Sequence, residues 1–473
     1  MNRKVLEKLF ANYVGRKPDL IEELGSSGSN RRYFRLRAGD DSLIGVLGTN
    51  LQENEAFLDF DEQFASQGLP VPEVVAVSAD KMSYLQVDLG NTLLFNAIEK
   101  GRLTHVFSPD ERELLTKTIR LLPAFQFAKF DFSKSFPTKE FDRRSIMWDL
   151  NYFKYCFLKA TGLEFEENRL EDDFNRMADK LLDKDCDGFM YRDFQSRNVM
   201  IKDGSPWFID FQGGRRGPCY YDVASFLWQA KAGYPDELRN ELIDEYLDAA
   251  EQYREIDRGL FKKTLKQFVL FRTLQVLGSY GFRGYFEKKP HFMQSVPFAL
   301  KNLRQLLEED SFTEYPYLSK MLHELVDMKQ FYDEIDKKLT VKVLSFAYKK
   351  GIPNDTSGNG GGYVFDCRAV NNPGKFERYK PFTGLDQQVI NFLEEDGEVF
   401  EFLEHCYALV DATTKRYIER GFTNLMVAFG CTGGQHRSVY CAQHMAEHLH
   451  KEFNVRVELV HREQNIEQLF NHR

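Results

Sequence analysis

The sequence predicts a two-lobed α+β domain followed by an α/β domain built round a phosphate-binding strand–loop–helix, and three observations carry that expectation. Short alternating segments between turn residues fill the first 90 positions. Apolar residues at helical spacing then dominate to about residue 337. Alternation returns at 339–346, ahead of a glycine-containing loop at 431–438 that leads into a helix from Val439. The expected divisions are a sheet-rich lobe over 1–90, a helical lobe over 91–315, a linker helix over 316–337 and a last domain over 338–473.

Element by element, segments 33–37 and 71–77 alternate as half-buried strands do, and 85–90 leads into the helical part. Ser108, Pro109 and Glu111 are an N-cap, an N1 proline and a capping-box glutamate ahead of Leu114, Ile119 and Leu122, so a helix is expected from Pro109. In 317–338, Leu318, Met321, Leu322, Leu325 and Met328 form one apolar stripe, and the domain boundary is placed near Lys338. The run 351–362 is too rich in glycine for an element interior and is expected to be a mobile loop. Residues 423–430 then read as a strand, and the helix after the 431–438 loop should turn Ala442, Ala446 and Leu449 inward.

Composition narrows the function classes. With 42% hydrophobic residues the chain is not intrinsically disordered, and 63 Lys+Arg against 72 Asp+Glu, a net charge of -9, disfavours a chain-wide nucleic-acid or anionic-membrane role. No stretch of about 18 apolar residues occurs and the N-terminus lacks a signal-like apolar core, so a cytoplasmic protein without a membrane partner is expected. Seven cysteines at irregular spacing, with no C-x-x-C pair, predict neither a disulfide framework nor a structural zinc site.

The segment 191–198, Tyr-Arg-Asp-Phe-Gln-Ser-Arg-Asn, has the aspartate-to-asparagine spacing of a kinase catalytic loop. In that pattern Asp193 orients the attacking hydroxyl and Asn198 helps hold Mg²⁺. Asp210, at the end of the apolar strand 207–209, suits a second Mg²⁺ ligand that bridges the phosphates of ATP. Upstream, Ser26, Ser27, Gly28 and Ser29 offer small residues and free N–H groups to cover nucleotide phosphates. No lysine lies between Lys17 and Lys81, so the usual strand lysine is missing; Arg31, Arg32 and Arg35 are the candidate substitutes, and a pseudokinase is the competing reading.

Taken with Tyr221-Asp222, the pieces 31–35, 191–198, 209–212 and 216–218 resemble the aminoglycoside phosphotransferase-like kinases, most closely the cell-wall amino-sugar anomeric kinases of the AmgK type, over residues 5–310. That resemblance implies a kinase-like fold, ATP as donor, and an acceptor such as N-acetylmuramate or N-acetylglucosamine phosphorylated at its anomeric hydroxyl. It also implies that Asp222 is structural and braces the metal loop. Asp142 and Asp149 are candidates for binding acceptor hydroxyls, against the plainer reading as capping or surface carboxylates.

In the last domain, Cys431-Thr432-Gly433-Gly434-Gln435-His436-Arg437-Ser438 suits an anion: glycines let the backbone approach, N–H groups at a helix start point at it, and Arg437 can clamp it. Lys349, Lys350, Arg368 and His436 could add contacts. The same loop fits the C-x5-R pattern of cysteine phosphatases, which would make the Cys431 thiolate a nucleophile. His444 to His448 fits H-x-x-E-H, but only 25 residues remain to supply a third zinc ligand, so a solvated helix face is expected.

The pieces 345–353, 364–368, 372–373, 383–386, 430–438 and 461–462 resemble the C-terminal domain of RapZ. The resemblance implies a sugar-phosphate ligand, glucosamine-6-phosphate being the candidate, and it adds RNA as a candidate partner, since RapZ engages a small RNA. The expected function is therefore an ATP-dependent sugar kinase fused to a sugar-phosphate binder. The alternatives are a non-catalytic nucleotide switch with a metabolite or RNA binder, and a phosphatase in the last domain. ATP consumption with hexoses separates them. Acceptor identity and oligomeric state are not legible.

Overall fold

The computed structural model describes residues 3–25, 31–183, 187–331, 339–355, 357, 361–420, 422–453 and 455–470. They fall into two compact units, Met1–Met328 and Lys329–Arg473.

The first unit opens with α1 (Lys4–Val14), then β1 (Leu20–Leu24), β2 (Arg32–Ala38), β3 (Asp41–Leu47), α2 (Leu51–Ser66), β4 (Val74–Val77) and β5 (Ser83–Val87). The strands make one antiparallel sheet in the order β1-β2-β3-β5-β4. Leu6 and Phe10 of α1 pack on Phe34, Leu36, Leu43 and Leu85, the inward positions that strand alternation sets aside. Asn50 caps α2 by accepting the Glu53 N–H at 3.1 Å.

Helices follow: α3 (Leu94–Ala97), α4 (Glu99–Thr104), α5 (Pro109–Gln126), α6 (Arg143–Phe153) and α7 (Glu167–Leu182). The capping box read from Ser108 and Glu111 is formed, and α5 begins at Pro109. Four short strands then interrupt the helical lobe: β6 (Asp187–Met190), β7 (Val199–Lys202), β8 (Ser205–Phe208), which overlaps the apolar strand expected over 207–209, and β9 (Arg215–Pro218). They pair antiparallel as β6–β9 and β7–β8. Four-residue strands are too short to register against a helical period. The unit closes with α8 (Tyr220–Leu227), α9 (Asp236–Ala250), α10 (Arg258–Gly281), α11 (Pro290–Met293), α12 (Val296–Glu309) and α13 (Pro316–Val326). The stripe Leu318, Met321, Leu322 and Leu325 of α13 is buried.

The second unit contains β10 (Thr340–Ala347), β11 (Gly362–Asp366), α14 (Gln387–Glu394), α15 (Glu398–Arg420), β12 (Asn424–Cys431), α16 (Arg437–Glu452), β13 (Arg456–His461) and β14 (Ile466–Phe470). The sheet order is β11-β12-β10-β13-β14, parallel except for the β13–β14 pair. The near-continuous apolar run of β12 is what a strand covered on both faces requires. Ala442, Ala446 and Leu449 of α16 are fully buried in this core. The glycine-rich run lies partly outside the described residues, at 356 and 358–360, as does residue 338.

Among the described residues Cys156, Cys367, Cys406, Cys431 and Cys441 are free and Cys219 is disulfide-bonded, a bond that the irregular spacing did not signal. No helix among the described residues is long and apolar enough to cross a membrane.

Candidate functional site

In the first unit, a tight turn sets the register. Asp203 and Gly204 both have positive φ, 51° and 71°, the type I′ geometry that joins β7 to β8 with two residues. The residues flanking that hairpin are therefore neighbours: the Ile209 N–H donates to the Asn198 carbonyl at 3.0 Å, and Asp210 follows. Asn198 in turn donates its side-chain N–H to the Asp193 carbonyl at 2.8 Å, which orients its amide. Asp193 and Asn198 are thus held on one loop, with Asp210 at the hairpin's other foot.

A second layer holds the loop. Asp222, fully buried on α8, accepts the Tyr191 N–H at 2.8 Å, the Arg192 N–H at 2.9 Å and the Gln126 amide at 3.3 Å. The Tyr191 hydroxyl donates to the Ile209 carbonyl. Asp222 therefore grips the loop of Asp193 and Asn198 directly and is linked to the strand before Asp210 through the Tyr191 hydroxyl, the structural, bracing role expected of it. Arg192 and Asp210 are both left-handed, at φ 75° and 68°, a conformation that costs a non-glycine residue about 1 kcal/mol or more and persists because this network over-determines it.

Charge is arranged to match. Burial pushes the Asp210 carboxyl up, against the opposing 2.7 Å hydrogen bond from Gln212. Burial likewise raises Asp222 to about 7 despite its three donors. Asp193 is half exposed and receives Arg272 Nη2 at 3.3 Å; Arg272, buried on α10, also donates Nε to the Ser225 hydroxyl at 3.2 Å. Asp149 is no surface or capping carboxylate: burial raises it, while Arg192, at 3.4 Å, Arg272 and Arg215 oppose that shift. Asp142 does cap α6, accepting the Ser145 N–H at 2.8 Å.

The arginines proposed for the missing lysine have separate fates. Arg31 is buried, its Nε 3.4 Å from Glu53 of α2, its Nη2 donating to the Glu53 carbonyl at 3.1 Å. Burial works against its charge, but Tyr84, Tyr33, Glu53 and Asp210 together raise its pKa. Kinases pair a lysine of the third strand with a glutamate; here the ion pair joins an arginine just before β2 to a glutamate of α2. Arg32, the next residue along the strand, instead makes a bidentate pair with Glu23 at 2.8 and 2.9 Å, and Arg35 is locked to Asp88 at 2.7 and 3.0 Å. Ser26, Ser27, Gly28 and Ser29 lie outside the described residues.

Asn198 and Asp210 fit Mg²⁺, which takes one or two protein oxygens and leaves other positions to water and phosphate. No group of three or more His, Cys, Asp or Glu among the described residues is placed to hold a metal alone.

The loop of the second unit behaves differently. Gly434, at φ 66°, sends its N–H to Cys431 Sγ at 3.2 Å, and the Ser438 hydroxyl lies 3.2 Å from the same sulfur. Burial would raise the Cys431 thiol, but Ser438 and the backbone N–H groups of Ser438, Gln435 and Gly434 hold it below its ordinary value. Several side chains expected in the cradle are spent on the protein. Gln435 donates to the carbonyls of Lys380 and Phe382 at 2.7 and 2.8 Å, and the His436 ring meets the Tyr379 carbonyl at 3.1 Å.

Arg437 Nη1 donates to the carbonyls of Arg368 and Val370 at 3.0 and 2.9 Å, which ties this side of the expected clamp to the protein; its Nε has no partner among the described residues. Lys350 pairs with Glu463 at 2.5 Å and Arg368 with Asp366 at 2.6 Å, while Thr432, Gly433 and Lys349 are exposed. His448 is bound to Asp411 at 2.8 Å and stacks on Tyr407, so this histidine packs against α15 where a solvated helix face was expected.

Sequence reasoning missed Arg272, Glu53 and Glu463. Arg272 carried a signal, a lone cation within the apolar run 268–274 of a helix. Glu53 and Glu463 carried none.

Residues 21–258 match the model of the phosphotransferase enzyme family, and residues 339–465 match that of the RapZ C-terminal domain. Nucleotide-binding proteins of Bacillus cytotoxicus and Bacillus thuringiensis are each 38% identical over 127 residues, 27% of this chain and 42% of theirs. The chain thus spans less than half the length of these curated relatives. Among solved structures, a thermostable mutant of aminoglycoside phosphotransferase APH(4)-Ia is 15% identical with a TM-score of 0.42, covering 65% of this chain and all of that one. Choline kinase LicA from Streptococcus pneumoniae is 11% identical with a TM-score of 0.45, covering 65% of this chain and 99% of that one.

Proposed function

The chain belongs to the phosphotransferase enzyme family, and on that premise we propose that its first unit transfers the γ-phosphoryl group of ATP to the anomeric hydroxyl of an amino sugar: N-acetylmuramate, N-acetylglucosamine or a related hexose. The observation that carries the reading is the linkage of Asp193, Asn198 and Asp210 through one hairpin and one buried carboxylate. In this reading Asp193 is the catalytic residue, orienting the hydroxyl and accepting its proton. Arg272 fixes one oxygen of that carboxylate and leaves the other for the acceptor.

Asn198 and Asp210 would hold Mg²⁺, which when bound neutralises charge on the phosphates. Arg31, braced by Glu53, stands in for the absent lysine on the nucleotide phosphates. The test is ADP formation by purified protein with ATP, Mg²⁺ and each sugar in turn. Stimulation by a hexose is expected, and no stimulation by any of them sinks the assignment.

The second unit, in the same reading, binds an amino-sugar phosphate such as glucosamine-6-phosphate at the exposed rim of the 431–438 loop, with Thr432, Gly433 and Lys349 nearest solvent. Cytoplasmic cell-wall recycling is the setting that suits both halves. Calorimetric titration of the full chain with glucosamine-6-phosphate checks this independently of the kinase assay. Heat that saturates at one equivalent is expected; none leaves the loop without this ligand.

A further inference from the structure

Asp222, Asp173 and Asp88, carboxylates buried or nearly so in the first unit, are answered in full. Asp222 has three donors, Asp173 has the N–H groups of Tyr317 and Leu318 beside Arg176, and Asp88 has Arg35, Ser42 and the Gly90 N–H. Three carboxylates on or against the catalytic loop and hairpin are answered at one oxygen alone among the described residues. Arg272 meets Asp193 Oδ1, Gln212 meets Asp210 Oδ1, and Arg192 meets Asp149 Oδ1 at 3.4 Å. The first two keep an oxygen for the acceptor and for Mg²⁺ in the reading above. Asp149 takes no part in that reading.

The fold sets Asp149 against the catalytic loop. Asp142 caps α6 and fixes its start. Gly278 and Gly281 of α10 let α10 press on α6: a Cβ on the first would lie 2.7 Å from the Phe153 nitrogen, and one on the second would strike the Cys156 carbonyl. From α6 comes Asp149 and from α10 comes Arg272, and they meet successive residues of one loop, Arg192 and Asp193. The Arg192 backbone is itself fixed, its N–H on Asp222 and its carbonyl accepting the Ser225 hydroxyl at 3.5 Å. The Asp149 side chain is 14% exposed, so its unanswered Oδ2 opens to solvent only narrowly. A carboxylate so far out of water with one long hydrogen bond is under-compensated, and a donor on a ligand completes it. Arg192, Arg272 and Arg215 already supply positive charge there, so a neutral hydroxyl suits this oxygen better than an ammonium group.

We propose that Asp149 is a specificity-determining residue of the kinase: its Oδ2 accepts a hydrogen bond from a neutral hydroxyl of the acceptor other than the one phosphorylated, and so orients the acceptor against Asp193. The assignment rests on the kinase reading above. It is tested with the full chain by measuring ADP formation with N-acetylglucosamine and with its deoxy analogues, each lacking one hydroxyl. One analogue should lose about tenfold or more in kcat/KM with the parent but only about twofold or less with Asp149→Ala, where the deleted hydroxyl has no partner to lose. Asp149→Asn, which keeps an acceptor for Arg192, should shrink the same penalty and serves where the alanine variant does not fold. The KM for ATP should stay within about twofold of the parent in both. Penalties that are equal in parent and variants for every analogue overturn the assignment and leave Asp149 as a support for Arg192.

If the parent forms no ADP with any sugar, the kinase reading has failed. There, and wherever N-acetylglucosamine is not turned over, Asp149 is judged by calorimetric titration of parent and Asp149→Ala with N-acetylglucosamine in the presence of ATP and Mg²⁺. Binding weakened by about tenfold or more in the variant supports the contact. Equal binding, or no binding by the parent, overturns it.

Discussion

The 191–210 segment of the first unit and the 431–438 loop of the second are both motifs read directly from sequence, yet they turn their side chains in opposite ways. Asp193, Asn198 and Asp210 are tied into one loop and hairpin, and each side chain is held by the protein through a single atom, Asp193 by Arg272, Asp210 by Gln212 and Asn198 through its amide N–H. Gln435, His436 and Arg437 are spent on carbonyls of residues 368–382, and what converges within the loop is N–H groups on a cysteine. A site that works through side-chain oxygens leaves its chemistry in the motif. One that works through backbone leaves its side chains free to become structural.

The sharpest break of that comparison is at Asp193. Asp193→Asn should lower turnover by ~100-fold or more with ATP binding nearly unchanged, and Asp210→Asn should instead remove Mg²⁺-dependent nucleotide binding. Steady-state kinetics beside nucleotide titration distinguishes the two. Near-parental activity in both variants would mean that the linked carboxylates do no phosphoryl transfer.

Buried titrating groups set the units apart in pH. Asp222 is raised to about 7 from 3.8 for the free group, so its contribution to stability is complete below 3.8 and is lost as pH rises through 7. His461 is lowered by burial to about 4 from 6.5, its ring nitrogens meeting Ser345 at 2.9 Å and Gln443 at 3.2 Å. Its contribution is present above 6.5 and is lost as pH falls to 4, by as much as ~3 kcal/mol. Scanning calorimetry between these limits should show one transition weakening on acidification, and His461→Gln should flatten that slope. An unchanged slope in this variant would remove His461 as its cause.

A smaller effect tests the loop itself. Arg437→Ala deletes a buried tie to two carbonyls and should cost roughly 2 kcal/mol of stability in the second unit, whether or not sugar phosphate is present. If chemical denaturation finds no loss of stability while ligand affinity collapses, Arg437 is a clamp after all. The smallest effect is expected for Cys431→Ser, which should alter sugar-phosphate affinity by less than ~1 kcal/mol. Phosphate release by the parent that vanishes in this variant would make the loop a phosphatase.

Local physics was enough for much of the fold. The capping box at Ser108 and Glu111, the apolar stripe of α13 and the inward alanines of α16 each depend on residues within four positions of one another, so periodicity and spacing carry them. The spacing of Asp193, Asn198 and Asp210 was legible for the same reason, since a two-residue Asp-Gly turn closes the hairpin between the last two. What the sequence could not assign was the partner of each cation. Arg31 finds Glu53, Arg35 finds Asp88, Arg272 finds Asp193, and Arg437 finds the carbonyls of Arg368 and Val370. Those choices belong to the tertiary structure, because a guanidinium taken out of water must be answered by whatever acceptor the packing of distant segments brings within hydrogen-bond reach.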